Sequence, residues 1–163
     1  MVARADQDQR HGQRHRHRTT ALTSYFDTSA FLKLLILEPG SEPVRRAWSR
    51  ASSRWASVAL LAEARAGLAS ANRSGRSSDV AHAESVRHLG ALWNEIDALE
   101  LTEPLARRAG ELAELCALRG YDAIHLASAE AVLDEGDVMI VSDTRLAEAA
   151  ASLGIDALVP AES

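Results

Sequence analysis

The chain reads as an α/β protein: a three-layer α/β/α sandwich around a central, mostly parallel sheet of four to five strands. Three observations predict this. Short apolar runs at 25–26, 55–57, 138–141 and 157–159 are bounded by turn residues, as buried strands are. Longer segments between them place apolar residues three or four apart, and strands alternating with helices pair in parallel under cover on both faces. At 163 residues and 47% hydrophobic, the chain is long enough for one domain with a full core.

Each element follows in order. Tyr25-Phe26 is a short buried strand, and Asp27-Thr28-Ser29 is a capped turn into a helix over 30–35. Pro39-Gly40 breaks that helix. Ser41 caps the next, to about residue 49, and 55–57 is a strand whose Ser57 caps a helix over 58–72. Residues 74–78 form a loop, and Asp79 starts a helix reaching Trp93. Residues 96–101 alternate apolar and polar, the strand signature. Thr102 with Pro104 opens a helix carrying Leu105, Ala109, Leu112, Ala113 and Cys116, and Gly120 stops it. Asp122 caps a helix over 123–133. Residues 138–141 are the clearest strand, and Asp143 caps a helix ending near Leu153-Gly154. Residues 1–22 read as a disordered Arg/His-rich tail and 23–163 as a single domain, without internal repeat.

The net charge of −5 hides an asymmetry. Residues 1–22 hold five arginines against two acids, a net +3, so the rest of the chain carries −8. An acidic body argues against a protein that coats nucleic acid through a basic face, and favours a basic partner segment. No apolar run is long enough to span a membrane, and no secretory signal is visible. The single cysteine, Cys116, excludes an internal disulfide and reads as a buried structural thiol. These features point to the cytoplasm.

Four acids stand out by context: Asp27 in Tyr-Phe-Asp-Thr-Ser-Ala, Glu63 in Leu-Leu-Ala-Glu-Ala-Arg, Asp122 in Tyr-Asp-Ala-Ile-His-Leu-Ala and Asp143 in Ile-Val-Ser-Asp-Thr-Arg-Leu. A charge against a core is costly unless it is paired or binds a metal. Four that converge repel one another unless cations neutralise them, and hard oxygen ligands suit Mg²⁺ or Mn²⁺. Asp27, Asp122 and Asp143 taken singly also read as helix N-caps. Glu63 resists that reading, because it lies inside a helix and Arg65, two residues on, points elsewhere.

These four contexts, in this order and spacing over about residues 24–160, resemble the PIN-domain nucleases and, more narrowly, the VapC toxins of bacterial toxin–antitoxin pairs. Tyr121-Asp122-Ala123-Ile124-His125-Leu126-Ala127 is the most specific match. The resemblance implies a metal-dependent endoribonuclease. Asp27, Glu63, Asp122 and Asp143 would bind one or two Mg²⁺ or Mn²⁺ ions, roughly 3.5–4 Å apart where there are two, flanking the scissile phosphate. A metal-activated water would cleave single-stranded RNA to leave a 5′-phosphate and a 3′-hydroxyl. Thr28, Ser29 and Ser142 would orient a carboxylate, a water or a phosphate, or serve only as caps and turn bonds. The implied partners are an RNA substrate and a VapB-like antitoxin that docks an amphipathic helix and inserts a basic side chain at the acids. A homodimer is implied too, and a heterotetramer or larger assembly with the antitoxin.

Alternatives stay open at this point: a PIN-fold RNA-processing nuclease outside a toxin–antitoxin system, or an inactive PIN-fold binding module, although all four acids are present. A doubly wound phosphotransferase or receiver-like domain would need a Gly-rich phosphate loop or a phosphoacceptor Asp with a matching Lys, and Lys33, the only lysine, is in the wrong context. His125 reads as a packing residue in an apolar helix, and Trp48, Trp55 and Trp93 as core or interface residues. Arg45, Arg46, Arg50 and Arg54 form the densest basic stretch of the folded part, and read equally as phosphate contacts or as a solvated face.

Overall fold

A computed structural model describes residues 22–161. Except for Leu22, the expected tail lies outside the described residues.

Five strands, β1 (Thr23–Phe26), β2 (Ser53–Ser57), β3 (Asp97–Leu99), β4 (Val138–Ile140) and β5 (Ala157–Leu158), form one sheet. All are parallel, in the order β3-β2-β1-β4-β5. The connections are helical: α1 (Thr28–Leu35) and α2 (Ser41–Arg50), α3 (Ala59–Arg73) and α4 (Asp79–Trp93), α5 (Glu103–Cys116) and α6 (Gly120–Val132), and α7 (Thr144–Ser152).

The pleat divides the core into two. On β1, Tyr25 faces a cluster built from α5, α6 and α7 with Leu112, Leu126 and Leu146, while its neighbour Phe26 faces the α1–α4 side with Phe31, Val44 and Leu60. Met139 and Ile140 divide in the same way on β4. Alternation along a strand sends successive side chains to opposite faces, so two adjacent apolar residues signal a strand covered on both sides. Burying each such large side chain stabilises the fold by about 1.5–3 kcal/mol. Gly67 lets α1 and α3 approach, since a Cβ there would lie 2.8 Å from Leu32 Cδ1. Trp48 is buried against Phe26 and Phe31, with the Arg54 guanidinium 5.0 Å from its ring centroid. Trp55 and Trp93 are partly buried against the two cores. Cys116 is only half-buried.

Four capping expectations are corrected. Val58 and not Ser57 holds the cap position of α3. Ser41 is the first residue of α2 and does not cap it: Gly40 (φ 84°) holds that place, and Ser41 Oγ turns back to accept from Glu38 N and donate to Ile36 O. Gly120 does not stop α5, which ends at Cys116 with Ala117 in the left-handed region (φ 52°). Gly120 instead opens α6, so Asp122 lies within the first turn and is not the cap. Its charge there favours the positive end of the helix dipole, and its carboxylate is not used in a backbone cap.

Candidate active site

The chain runs outward from β1 in two directions: β2 and β3 lie on one side, β4 and β5 on the other. Ligands in open parallel sheets bind at such a switch point, beyond the carboxyl ends of the strands. Asp27 follows β1 directly, and Ser142-Asp143 follow the end of β4. The two strand ends are joined, since Asp27 N donates to Ile140 O at 3.1 Å and Ser142 N to Ser29 Oγ at 2.9 Å.

Asp27 is only 4% exposed. It caps α1 by accepting from Ala30 N (3.0 Å), and Ser29 Oγ lies 2.8 and 3.1 Å from its two carboxylate oxygens. Burial pushes its carboxyl above the usual carboxylate range, against the opposing pull of His125 and of these hydrogen bonds. Ser29 thus joins the first acid to the loop of the fourth.

Glu63 projects from the interior of α3 and is half-buried. Thr28 Oγ1 donates to its Oε2 (2.7 Å), and His125 Nε2 lies 2.7 Å from the same oxygen. Partial burial raises the carboxyl, but the hydrogen bond from His125, with the Thr28 bond, outweighs it and holds Glu63 below its ordinary value. Arg65 plays no part in this pairing.

Asp122 enters from α6 and Asp143 from the start of α7, where it accepts from Leu146 N at 2.9 Å. Burial pushes the Asp122 carboxyl up, and the negative charges of Asp143 and Glu63 push in the same direction. Asp122 therefore lies within electrostatic reach of Asp143 and Glu63. Three of the four sit at helix starts, so the cap reading holds for Asp27 and Asp143 without excluding convergence.

Among the described residues, no three His, Cys, Asp or Glu side chains close into a metal cage. Mg²⁺ does not require one: it keeps several waters and is commonly held by one or two carboxylates plus substrate phosphate. The donor set suits such an ion, being all hard oxygen. Ser142 Oγ, buried and without a hydrogen-bond partner, adds an unused oxygen beside Asp143. A cleft of about 320 Å³ adjoins this end, lined by Ser29, Ser142, Leu32, Gly67, Lys33 and Arg76.

The residue that sequence reasoning undervalued is His125. It is buried (2% exposed), as packing predicts, but its ring is hydrogen-bonded at both nitrogens, to Tyr25 Oη (2.7 Å) and to Glu63. The one available signal was its place three residues after Asp122, on the same helical face.

Comparison with known proteins bears on this arrangement. Residues 24–152 match the PIN domain family. The chain is 41% identical over 130 residues to the Mycobacterium tuberculosis protein named ribonuclease VapC45, covering 80% of this chain and 90% of that one. It is 32% identical over 136 residues to ribonuclease VapC46 of the same species, covering 83% and 96%. Among solved structures, PAE2754 from Pyrobaculum aerophilum matches with a TM-score of 0.62 at 21% identity, over 84% of each chain. A toxin–antitoxin complex from Klebsiella pneumoniae matches with a TM-score of 0.60 at 17% identity, over 86% of this chain and 99% of that one. The family match spans every one of the four acidic positions, and with it the chain belongs to the PIN-domain family, among relatives of the VapC type.

Proposed function

We propose that this protein is a divalent-metal-dependent endoribonuclease toxin, with Asp27, Glu63, Asp122 and Asp143 as its catalytic acids. The observation that carries this reading is the placement of Asp27 and Asp143 beyond the carboxyl ends of adjacent parallel strands, joined through Ser29, with Asp122 raised by the charges of Asp143 and Glu63. The names of the relatives, ribonucleases over most of the chain, support the substrate class.

A bound Mg²⁺ or Mn²⁺ supplies an activated water and offsets charge on the phosphate. The chain's residues supply placement. Asp27 is fixed by the α1 amide and by Ser29, and Glu63 by Thr28 and His125. Asp143 is fixed by the Leu146 amide, and Asp122 makes no cap bond. Ser142 Oγ is free to bind a water or a phosphate oxygen. Arg76 borders the adjoining cleft and is the cation there to meet the RNA backbone of a substrate, since the Lys33 ammonium is held by Glu38 and the Pro39 carbonyl. The acidity of the body also fits a VapB-like antitoxin that brings a basic side chain to the site, consistent with toxin–antitoxin complexes among the fold's relatives. Among the described residues no helix is long and apolar enough to cross a membrane, in keeping with a protein that works on RNA in the cytoplasm.

The test is incubation of total bacterial RNA with the purified protein and Mg²⁺ or Mn²⁺, with and without EDTA, alongside Asp27→Ala and Asp122→Ala. Discrete fragments that vanish with EDTA and in both variants support the reading, and their ends identify the target. No cleavage by folded, antitoxin-free, metal-loaded protein across transfer, ribosomal and messenger RNA overturns it in favour of a binding module.

A further inference from the structure

We propose that Tyr25 and His125 are positioning residues, a buried relay of hydrogen bonds that sets the orientation of Glu63. The inference rests on the reading of Glu63 as one of the catalytic acids.

A hydroxyl on Tyr25 is not explained by packing, since a phenyl ring would fill the same place between Leu112, Leu126 and Met139. A buried hydroxyl is unfavourable unless paired. Here it is paired with direction. The amide of Ser57, at the end of β2, donates to Tyr25 Oη at 3.1 Å. Tyr25 Oη and His125 Nδ1 lie 2.7 Å apart and buried, and in the relay the hydroxyl donates to Nδ1. With Nδ1 accepting, the ring proton lies on Nε2, which faces Glu63 Oε2 at 2.7 Å. Thr28 Oγ1 donates to that same oxygen. Both bonds fall on Oε2, and Oε1 receives none among the described hydrogen bonds, so Oε1 is the oxygen left to an incoming ligand.

The relay also spans the molecule. Tyr25 stands on β1, Ser57 on β2, His125 on α6 and Glu63 on α3, so it ties together helices from opposite faces of the sheet. Glu63 alone has a long side chain with several rotamers, in a half-exposed position. A fixed donor aimed at one of its oxygens selects among them. Neither Tyr25 nor His125 contacts the reacting atoms in this arrangement; both act through Glu63.

The experiment uses the full chain and four proteins: wild type, His125→Gln, His125→Leu and Tyr25→Phe. Three readouts are taken: the ¹⁵N shifts of the His125 ring, Mn²⁺ affinity by calorimetry without RNA, and kcat and KM for RNA. The expected ring is protonated at Nε2 and unprotonated at Nδ1. His125→Leu is expected to lower kcat and weaken Mn²⁺ binding, each by about 10–100-fold, as loss of a ligand's supporting hydrogen bond does. KM for RNA should stay within about twofold of wild type, because the residue does not meet the substrate. His125→Gln keeps an N–H donor and should recover most of both losses. Tyr25→Phe should weaken Mn²⁺ binding severalfold and allow protonation at Nδ1.

Wild-type kcat and Mn²⁺ affinity in folded His125→Leu would overturn the proposal. So would His125→Gln no better than His125→Leu at equal thermal stability, or an Nδ1-protonated ring in the wild type. If His125→Leu fails to fold, Tyr25→Phe decides, and a variant identical to wild type in ring shifts and Mn²⁺ affinity overturns the relay. Should the wild type cleave no RNA, the nuclease reading fails, while the ring shifts and Mn²⁺ affinities still judge the relay.

Discussion

Two buried aspartates at opposite ends of the sheet make an instructive pair. Asp137 precedes β4 and is 6% exposed; Asp27 follows β1 and is 4% exposed. Both accept hydrogen bonds from backbone amides. Asp137 takes Thr23 N at 3.1 Å on one oxygen and Asp134 N at 3.0 Å on the other, so both of its oxygens are used in tying the start of β1 to the turn before β4. Asp27 takes the Ala30 amide on one oxygen and the Ser29 hydroxyl within reach of both, and lies at the carboxyl end of the sheet beside the loop that carries Asp143. Burial and hydrogen bonding are therefore common to a staple and to a candidate catalytic acid. What separates them is place: Asp27 stands at the carboxyl ends of the strands, tied through Ser29 to the loop that carries Asp143, and Asp137 stands at the amino ends.

Removing charge at each end of the sheet separates the two roles. Asp122→Asn and Asp143→Asn should lower RNA cleavage by about 10²–10³-fold, the scale of losing one preorganised electrostatic contact to a reacting centre. Asp137→Asn should leave kcat within about twofold. Single-turnover assays on folded protein check both, and a loss in Asp137→Asn equal to that in Asp122→Asn would dissolve the distinction.

Stability should respond the other way round. Asp137→Ala strands the amides of Thr23 and Asp134, at about 1–3 kcal/mol for each buried donor left without a partner. Denaturant unfolding measures it, and Asp122→Asn should show no comparable loss. Divalent cations sharpen the contrast: at 100 times its Kd, a cation that binds only the folded state stabilises it by about 2.7 kcal/mol. That increment should appear with Mn²⁺ in wild type and Asp137→Asn, and shrink in Asp122→Asn.

The smallest effect is on pH dependence without divalent cations. Asp27 and Asp122 have carboxyls raised in the folded protein, so the folded state binds protons more tightly there than the unfolded chain. Their contribution to stability is therefore fullest below the ordinary Asp value and is lost as pH rises through the raised values. Glu63, held low, behaves oppositely: its contribution is present above the ordinary Glu value and is lost as pH falls through its lowered value. Thermal melts from acid to neutral pH should show a decline toward neutrality that Asp122→Asn flattens. Glu63→Gln should remove part of the decline on the acid side.

Much of this was legible in the amino-acid order. Adjacent apolar residues at 25–26 and 139–140 announced strands covered on both faces, and the alternation of elements implied a parallel sheet. The strand order was not legible, because no local pattern tells a chain to cross from β3 to β4 on the far side of β1. Asp122 was misread as a cap because Gly120 resembles a helix stop, whereas α5 ends on Ala117, whose left-handed backbone carries no residue signal. The four acids could be found by type and context. The partners of Glu63 could not, since Thr28 lies 35 positions away in sequence and His125 62. Tyr25, 100 positions before His125, reads simply as an apolar strand residue.

The most direct measurement is a substoichiometric Mn²⁺ titration of ¹⁵N-labelled protein, followed by paramagnetic broadening of its amide signals. The four residues of β1 separate the two ends of the sheet by about 13 Å. A cation held by the acids should broaden Ala30, Asp122, Ser142 and Asp143 first, and leave Thr23, Asp134 and Asp137 sharp until more Mn²⁺ is added. Broadening that begins around Asp134 and Asp137, or that spreads evenly over the acidic surface, would contradict a cation site at the carboxyl end of the sheet.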